Sequence, residues 1–323
     1  MMALTSLLTP SSLAGRQRSS ISLVEQIPYD EFSFFQENAE EWGLPFHHRP
    51  DVARVAVELE GGRSLSALAW GEQPSSLILL HGGAQNAHTY DTVALALERP
   101  LLALDLPGHG HSDAPAEGLF EPSSMAQDVA HAIAELGAPP VTLVGMSLGG
   151  LVALHVAHDR PDLVARVAFI DITPGVNQEK AGHITAFING PEGFEQFDDL
   201  LARTKEFNPT RSEASLRRGI LHNAIQLDDG TWVWRWAQHR RAPVQSARPS
   251  DELWNLVGEL TQPALLVRGM SAGSVVDDAD ESEFFSRLPS AQVIHVEGAG
   301  HSVQGDQPVV LSSIIDEFVA SSS

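Results

Sequence analysis

The sequence Val144-Gly145-Met146-Ser147-Leu148-Gly149-Gly150 decides how the rest of this chain is interpreted. An apolar run precedes it at 141–144, and an apolar stretch with the length of a helix follows it at 151–157. This pattern predicts a strand, a sharp turn with Ser147 at its apex, and a helix. Such a turn holds the serine in strained backbone geometry, so small residues are needed two positions away on either side. The hydroxyl would then project into a cleft, with the helix N-terminus beneath it to receive negative charge.

The composition is that of a folded protein with an acidic surface. The chain has 323 residues, 43% of them hydrophobic, and a formal net charge of −22. Because this charge repels polyanions, we expect no nucleic-acid partner and no anionic membrane partner. No stretch approaches the length of a transmembrane helix, so we expect no stable membrane insertion. The sequence contains no cysteine, which excludes disulfides, thiolate metal sites and cysteine nucleophiles.

Residues 1–27 differ in composition from the rest of the chain. They are rich in Ser and Thr, and the first acidic residue is Glu25. We expect a disordered N-terminal extension here and a cytoplasmic protein. A targeting segment is the alternative, although the apolar stretch is short, is broken by Pro10, and precedes no clear cleavage site.

The apolar pattern predicts a mostly parallel central sheet flanked by helices. Residues 51–59 and 64–70 alternate and are typical of a hairpin. Further along, short continuous apolar runs indicate strands that are buried on both faces. These runs lie at 77–80, 101–104, 141–144, 167–170, 264–267 and 293–296. The segments between them are long enough for crossover helices, so we expect an α/β fold.

One long interval interrupts this pattern. Between Pro174 and Thr261 the chain shows amphipathic stretches and no comparable strand-like run. A segment this long is better explained as an inserted domain than as a loop. We therefore expect a helical cap at 175–261, which divides the core into residues 28–174 and 262–323. Its tryptophans at 232, 234 and 236 could line an apolar acyl pocket, or they could form the core of the cap.

A nucleophilic serine needs a base, an acid that orients the base, and donors for an oxyanion. His301 is the predicted base, because it follows the last strand-like run and its flanking glycines let the loop approach the serine turn closely. The predicted oxyanion donors are the backbone N–H groups of Leu148 and Gly83. Gly83 lies in His81-Gly82-Gly83-Ala84, directly after the run at 77–80, where a second donor loop belongs. The following loop, 105–112, is expected to be scaffold.

Two carboxylates compete for the role of the acid. The usual position follows the run at 264–267, but no carboxylate occurs there, and Asp277 comes several residues later. Asp171 instead closes the run at 167–170, at the same carboxyl edge of the sheet and one strand nearer the nucleophile. Asp171 is the preferred acid and Asp277 is the alternative.

Together these motifs resemble the α/β-hydrolase superfamily from about residue 32 to 319. The phrases at 215–219 and 232–235 narrow the resemblance to bacterial serine carboxylesterases with a helical lid. The resemblance implies hydrolysis of esters with short to medium acyl chains, without a metal or an organic cofactor. Tyr90 stands where relatives commonly carry tryptophan, and Trp236-Ala237 replaces a Tyr-Asp pair, so these positions are expected to shape the pocket. The residues expected to bind the substrate are Tyr90, Met146, Trp234 and Trp236.

The predicted function is therefore a serine hydrolase that cleaves a small-molecule ester through an acyl-enzyme. A carbon–carbon bond hydrolase of ring-cleavage products is one alternative, since it would use the same triad. A ligand-sensing protein of this fold with little turnover is another. Haloalkane dehalogenases and epoxide hydrolases are excluded, because both carry an aspartate where Ser147 stands. The sequence leaves the oligomeric state open.

Overall fold

The structure, a computed structural model, describes residues 27–115, 120–177, 179–236 and 250–321. The predicted N-terminal extension lies outside the described residues, apart from Ile27.

An eight-stranded sheet forms the centre of the molecule, in the order β1-β2-β4-β3-β5-β6-β10-β11. Only the β1–β2 and β2–β4 pairings are antiparallel, and the other pairings are parallel. The prediction of an α/β fold with a mostly parallel sheet is confirmed. The strands are β1 (Val52–Leu59), β2 (Arg63–Trp70), β3 (Ser75–Leu80), β4 (Leu101–Leu104), β5 (Gly137–Met146), β6 (Val164–Ile170), β10 (Ala264–Gly269) and β11 (Gln292–Val296).

Helices cover both faces of this sheet. Successive side chains of a strand point to opposite faces, and in β3 Ile78 and Leu80 enter one hydrophobic cluster while Leu77 and Leu79 enter the other. This arrangement explains why the inner strands are continuously apolar. The helices of the first cluster are α3 (Pro122–Leu136), α4 (Leu148–Asp159), α8 (Ser250–Glu259) and α9 (Asp278–Arg287). Those of the second are α1 (Phe35–Glu41), α2 (Asp91–Leu97), α10 (Val303–Asp306) and α11 (Pro308–Ala320).

The inserted cap contains strands as well as helices. Its helices are α5 (Gly182–Ile188), α6 (Phe197–Phe207) and α7 (Glu213–Asn223). A small antiparallel sheet accompanies them, formed by β7 (Gly193–Phe194), β8 (Ala224–Gln226) and β9 (Trp232–Trp234) in the order β7-β9-β8. The sequence does not predict these three strands, because strands of two or three residues are too short to show alternation.

Helix α8 corrects the second boundary of the expected cap. The helix falls within 175–261, yet Trp254 and Val257 belong to the hydrophobic cluster of the core, and the helix packs against α4 and α9. The described part of the cap therefore ends with Trp236. Among the described helices, none is long and apolar enough to cross a membrane.

The parallel strands bring the candidate residues to one edge of the sheet. Met146 and Ile170 are paired at the ends of β5 and β6, so the next residues, Ser147 and Asp171, emerge side by side. Ser147 N donates to Ile170 O over 3.3 Å. The loop after β3 and the loop that carries His301 after β11 follow the carboxyl ends of their own parallel strands.

Candidate active site

Ser147 occupies the sharp turn that the sequence predicts. Its backbone has φ 51° and ψ −119°, between the end of β5 and the start of α4. The neighbouring glycines permit this turn, because a Cβ at Gly145 would lie 2.3 Å from Gly149 O. A Cβ at Gly149 would lie 2.4 Å from Leu80 O. Side chains at either position would therefore push the helix away from the sheet and move the serine.

The glycine loop after β3 passes directly against this turn. A Cβ at Gly82 would lie 2.5 Å from Met146 Sδ and 3.2 Å from Ser147 Cβ. Gly83 borders the Leu148 side chain, which a Cβ at Gly83 would meet at 4.0 Å. The structure thus brings the two predicted oxyanion residues together, and their role as donors stays a prediction.

A buried histidine fixes the path of this loop. His81 Nε2 accepts from Leu106 N over 2.9 Å, so the Nδ1–H donates to Gly82 O, 2.7 Å away. Burial lowers the pKa of His81, which keeps the imidazole neutral as this bonding pattern requires. His81 therefore acts as a structural tie between the glycine loop and the loop at 105–112.

His301 and Asp171 form the pair that an acyl-transfer site needs. His301 Nδ1 and Asp171 Oδ2 are 2.9 Å apart. With Nδ1–H donated to the carboxylate, the lone pair lies on Nε2, which is the arrangement of a general base. Both His301 and Ser147 line the same cavity.

The Asp171 carboxylate is wholly buried and well supplied with donors. Its Oδ1 accepts from Gly269 N over 3.0 Å and from Ser274 Oγ over 2.6 Å. Its Oδ2 also accepts from Val275 N over 3.0 Å. The loop that follows β10 therefore holds the carboxylate of another strand in place. The sequence analysis did not identify Ser274 and Val275 as hydrogen-bond partners of the acid. The only sequence signal for this role was that their loop contains no carboxylate of its own.

The alternative acid, Asp277, has a different position and partners. Its Oδ1 accepts from Asp280 N over 2.9 Å at the start of α9, and Asp280 returns a bond to the Asp277 backbone. Its other oxygen lies 2.8 Å from Lys180 Nζ, and the hydrogen bond with this lysine lowers the pKa of Asp277. Asp277 is a helix cap, and the structure does not bring it to His301.

A cavity of about 820 Å³ lies between the core and the cap. Ser147, His301, Gly82 and Gly83 line it from the core side. Its cap side carries both polar and apolar residues, and the apolar ones include Ile184, Phe187, Ile188, Phe207, Leu216 and Trp234. The volume is within the range of sites for small organic ligands.

The structure brings two of the four expected substrate-binding residues to this cavity. Met146 and Trp234 line it. Trp236 stacks behind Trp234, with ring centroids 6.3 Å apart, and so belongs to the cap core rather than to the wall. Tyr90 is buried in the main core, where its hydroxyl donates to Leu80 O over 2.9 Å. The expectations for Tyr90 and Trp236 were wrong because both rings are large enough to fill core space away from the cavity.

Among the described residues, one group has the composition of a metal site. Possible ligand atoms of His88, Asp91 and His222 all lie within 4.8 Å of one another. The two imidazole rings are stacked, with centroids 3.8 Å apart and planes 12° apart, so their lone pairs do not converge on a common point. Although burial opposes the charge, Asp91 and Glu31 raise the pKa of His88 to about 9. His88 contacts Asp91 Oδ2 over 2.9 Å and Glu31 Oε1 over 3.3 Å, so this group is organised as a charged hydrogen-bond network.

The sheet, the serine turn and the chain order serine, acid, histidine define the class of protein. A family model described as the alpha/beta hydrolase fold matches residues 76–308, and the chain belongs to this family. Esterase Rv0045c of Mycobacterium tuberculosis is 40% identical over 296 residues, which cover 88% of this chain and 94% of that protein. The crystal structure of this esterase matches with a TM-score of 0.79, covering 92% of this chain and 100% of that chain.

More distant relatives share the fold with lower identity. The sn-1-specific diacylglycerol lipase ABHD11 of Mus musculus is 27% identical over 300 residues, which cover 88% of each chain. The crystal structure of E-2-(acetamidomethylene)succinate hydrolase matches with 26% identity and a TM-score of 0.72, over 84% of this chain and 100% of that chain. The family and fold predictions are confirmed.

Proposed function

We propose that this α/β hydrolase cleaves carboxylic esters through an acyl-enzyme, with Ser147 as the nucleophile, His301 as the base and Asp171 as the orienting acid. The hydrogen bond between His301 Nδ1 and the buried Asp171 carboxylate carries this proposal. The position of this pair beside the Ser147 turn also supports the proposal, because an ion pair with a purely structural role would not require a strained serine next to it. The similarity to a mycobacterial esterase over most of both chains agrees with the reaction.

The reaction follows from the geometry in two halves. His301 Nε2 takes the proton of Ser147 as Oγ attacks the ester carbonyl, and Asp171 stabilises the imidazolium that forms. The N–H groups of Gly83 and Leu148 hold the negative oxygen of the tetrahedral intermediate. His301 then gives its proton to the departing alcohol as the ester C–O bond breaks.

Water completes the cycle. It attacks the acyl group on Ser147 while His301 Nε2 takes the water proton, and the second tetrahedral intermediate collapses with return of that proton to Ser147 Oγ. The products are one carboxylic acid and one alcohol, and the enzyme returns to its starting state. No step requires a redox change.

The proposed substrates are small-molecule esters with short to medium acyl chains. The apolar residues on the cap side of the cavity, Trp234 among them, support an acyl chain there, since apolar side chains predominate in sites for small organic ligands. The net charge of −22 supports the further proposal that nucleic acid is not a partner.

A series of 4-nitrophenyl esters from acetyl to dodecanoyl tests this function. We expect sustained hydrolysis with a maximum among the short to medium chains, and loss of turnover in Ser147→Ala. Release of a single equivalent of 4-nitrophenol followed by arrest would instead favour the ligand-sensing alternative. Turnover of a ring-cleavage diketone without turnover of any ester would favour the carbon–carbon hydrolase.

A further inference from the structure

Arg211 places a positive charge inside the cavity that contains Ser147 and His301. It lies in the cap, in the connection between α6 and α7. A Cβ at Gly305 would lie 2.7 Å from Arg211 Nη1 and 3.0 Å from its Cζ. Because Gly305 is in α10, which begins two residues after His301, the guanidinium borders the segment that carries the proposed base.

The hydrogen-bonding capacity of this guanidinium is largely unused within the described part of the chain. Arg211 Nη2 donates to Ser215 Oγ over 2.6 Å. No described carboxylate lies within 4.0 Å of Arg211. A guanidinium carries five N–H donors in a planar fork, so several remain available to a ligand in the cavity.

Two carboxylates, Glu41 and Asp306, stabilise the charge of Arg211 electrostatically, and both are engaged with other groups. Glu41 pairs with Arg218 and accepts from Ser212 Oγ. Asp306 Oδ2 accepts from Gly300 N over 2.9 Å and so supports the loop of His301. Both therefore offset the charge of Arg211 from a distance without bonding to it.

The other basic groups in the cavity are paired. Lys180 Nζ lies 2.6 Å from Asp280 and 2.8 Å from Asp277. Arg218 is paired with Glu41. Among the described lysines and arginines that line the cavity, Arg211 alone lacks a carboxylate partner.

Arg211 is half-buried, and a half-buried cation without a carboxylate partner is unfavourable. Removal from water lowers the pKa of Arg211, and the more distant Asp306 and Glu41 only partly oppose this effect. A ligand with an anionic group would relieve the cost. A carboxylate matches best in shape, because its two oxygens can accept two parallel N–H bonds from one guanidinium.

We infer that Arg211 binds a carboxylate of the substrate, so that the preferred esters carry a second, free carboxylate remote from the ester bond. This inference rests on the proposed ester hydrolysis and adds the substrate class. The carboxylate can belong either to the acyl part, as in a monoester of a dicarboxylic acid, or to the alcohol part, as in an ester of a hydroxy acid. The chemistry at Arg211 is the same in both cases.

Matched pairs of acids and amides test the inference and distinguish the two sources. The acyl pair is monoethyl adipate and ethyl adipamate, and the alcohol pair is 4-(butanoyloxy)butanoate and its primary amide. Released acid is followed by pH-stat titration, and the readout is the ratio of kcat/KM for the acid to kcat/KM for the amide. We expect a ratio of about 10 to 100 for one pair, as for a charge-assisted hydrogen bond that an amide cannot match.

Variants test whether Arg211 is the cation responsible for the preference for acids over amides. Arg211→Gln should bring the ratio to about one, and Arg211→Lys should give an intermediate ratio, since an ammonium keeps the charge without the planar fork. Arg217→Gln is the control for net charge. This arginine lies on α7, is exposed, and covers the ring of Phe197 outside the cavity, so its removal should leave the ratio unchanged.

Competition with the wild-type enzyme gives a readout that does not depend on a variant. Free adipate should inhibit hydrolysis of 4-nitrophenyl butanoate competitively, and adipamide should not. A ratio near one for both pairs in the wild type, or a high ratio that persists in Arg211→Gln, would overturn the inference while ester hydrolysis itself stands. Lack of turnover of every ester, 4-nitrophenyl butanoate included, would overturn the proposed function and this inference with it.

Discussion

Replacement of Asp171 by asparagine should separate the proposed acid from every other carboxylate. The change keeps the shape of the side chain and removes its charge. In the wild type, Oδ2 accepts from both His301 Nδ1 and Val275 N, and Oδ1 accepts from Gly269 N and Ser274 Oγ. An amide has one oxygen, so in either orientation its NH₂ group faces two donors.

The magnitude follows from these contacts. In either orientation one backbone N–H, of Gly269 or Val275, loses its acceptor, whereas the Ser274 hydroxyl or the His301 ring can accept instead of donate. One buried donor without an acceptor costs about 1–3 kcal/mol, so we expect a loss of that size in the free energy of unfolding. Loss of the charge that stabilises the imidazolium should lower kcat by a factor of about 10²–10⁴. The KM for a small ester should change little, because Asp171 does not line the cavity.

The assay is steady-state hydrolysis of 4-nitrophenyl butanoate at a temperature where circular dichroism shows the variant to be folded. Asp277→Asn is the matched control, because asparagine also serves as a helix N-cap and Asp277 is half exposed. Its kcat should stay within about twofold of the wild type, as a surface cap and ion pair contribute only to stability. A folded Asp171→Asn enzyme with kcat within about tenfold of the wild type would refute the assignment. So would an Asp277→Asn enzyme that loses activity a hundredfold.

Two further predictions concern the cap and the hydrogen-bond network of His88, which lines the cavity. Trp234→Ala should shift the preferred chain length among 4-nitrophenyl esters more than it changes kcat/KM for the acetate, because Trp234 lines the cavity on the cap side, and Trp236→Ala should only lower the melting temperature. His88 faces Asp91, Glu31, Arg54 and His222, and the two carboxylates raise its pKa from 6.5 to about 9. Between pH 6.5 and about 9 the folded state therefore holds a proton on His88 that the unfolded state releases. Its stabilising contribution should be complete below pH 6.5 and disappear as the pH rises through about 9, by up to about 1.4 kcal/mol per pH unit. Thermal unfolding from pH 6.5 to 10 should therefore show a smaller decrease in His88→Asn than in the wild type, and equal slopes would contradict this reasoning.

The serine turn and the sheet could be predicted because local patterns determine them. Backbone atoms lie only 2.3–2.4 Å from where the Cβ atoms of Gly145 and Gly149 would be, so both positions require glycine. The spacing of these glycines around Ser147 therefore predicts the geometry of the turn. The continuous apolar runs report burial on both faces of the sheet. Asp171 followed from its position at the end of a strand, since the carboxyl ends of parallel strands meet at one edge.

The parts that could not be predicted depend on distant packing. Tyr90 is one residue before α2, and the local sequence does not indicate that its ring enters the core instead of the cavity. The partners of Asp171 in the loop after β10 are about one hundred residues away in sequence. Arg211 looks like any surface arginine in the sequence, because the absence of a partner is visible only when the surrounding carboxylates have been placed.

Covalent labelling of the nucleophile tests the central claim most directly. A serine-directed 4-nitrophenyl phosphonate should react once per chain, and tandem mass spectrometry of the digested protein should place the adduct on Ser147. The Ser147→Ala protein should take up no label and should lose kcat by a factor of about 10⁴ or more, because no cysteine is present to replace the serine. An adduct on another residue, or substantial ester hydrolysis by folded Ser147→Ala, would contradict the account.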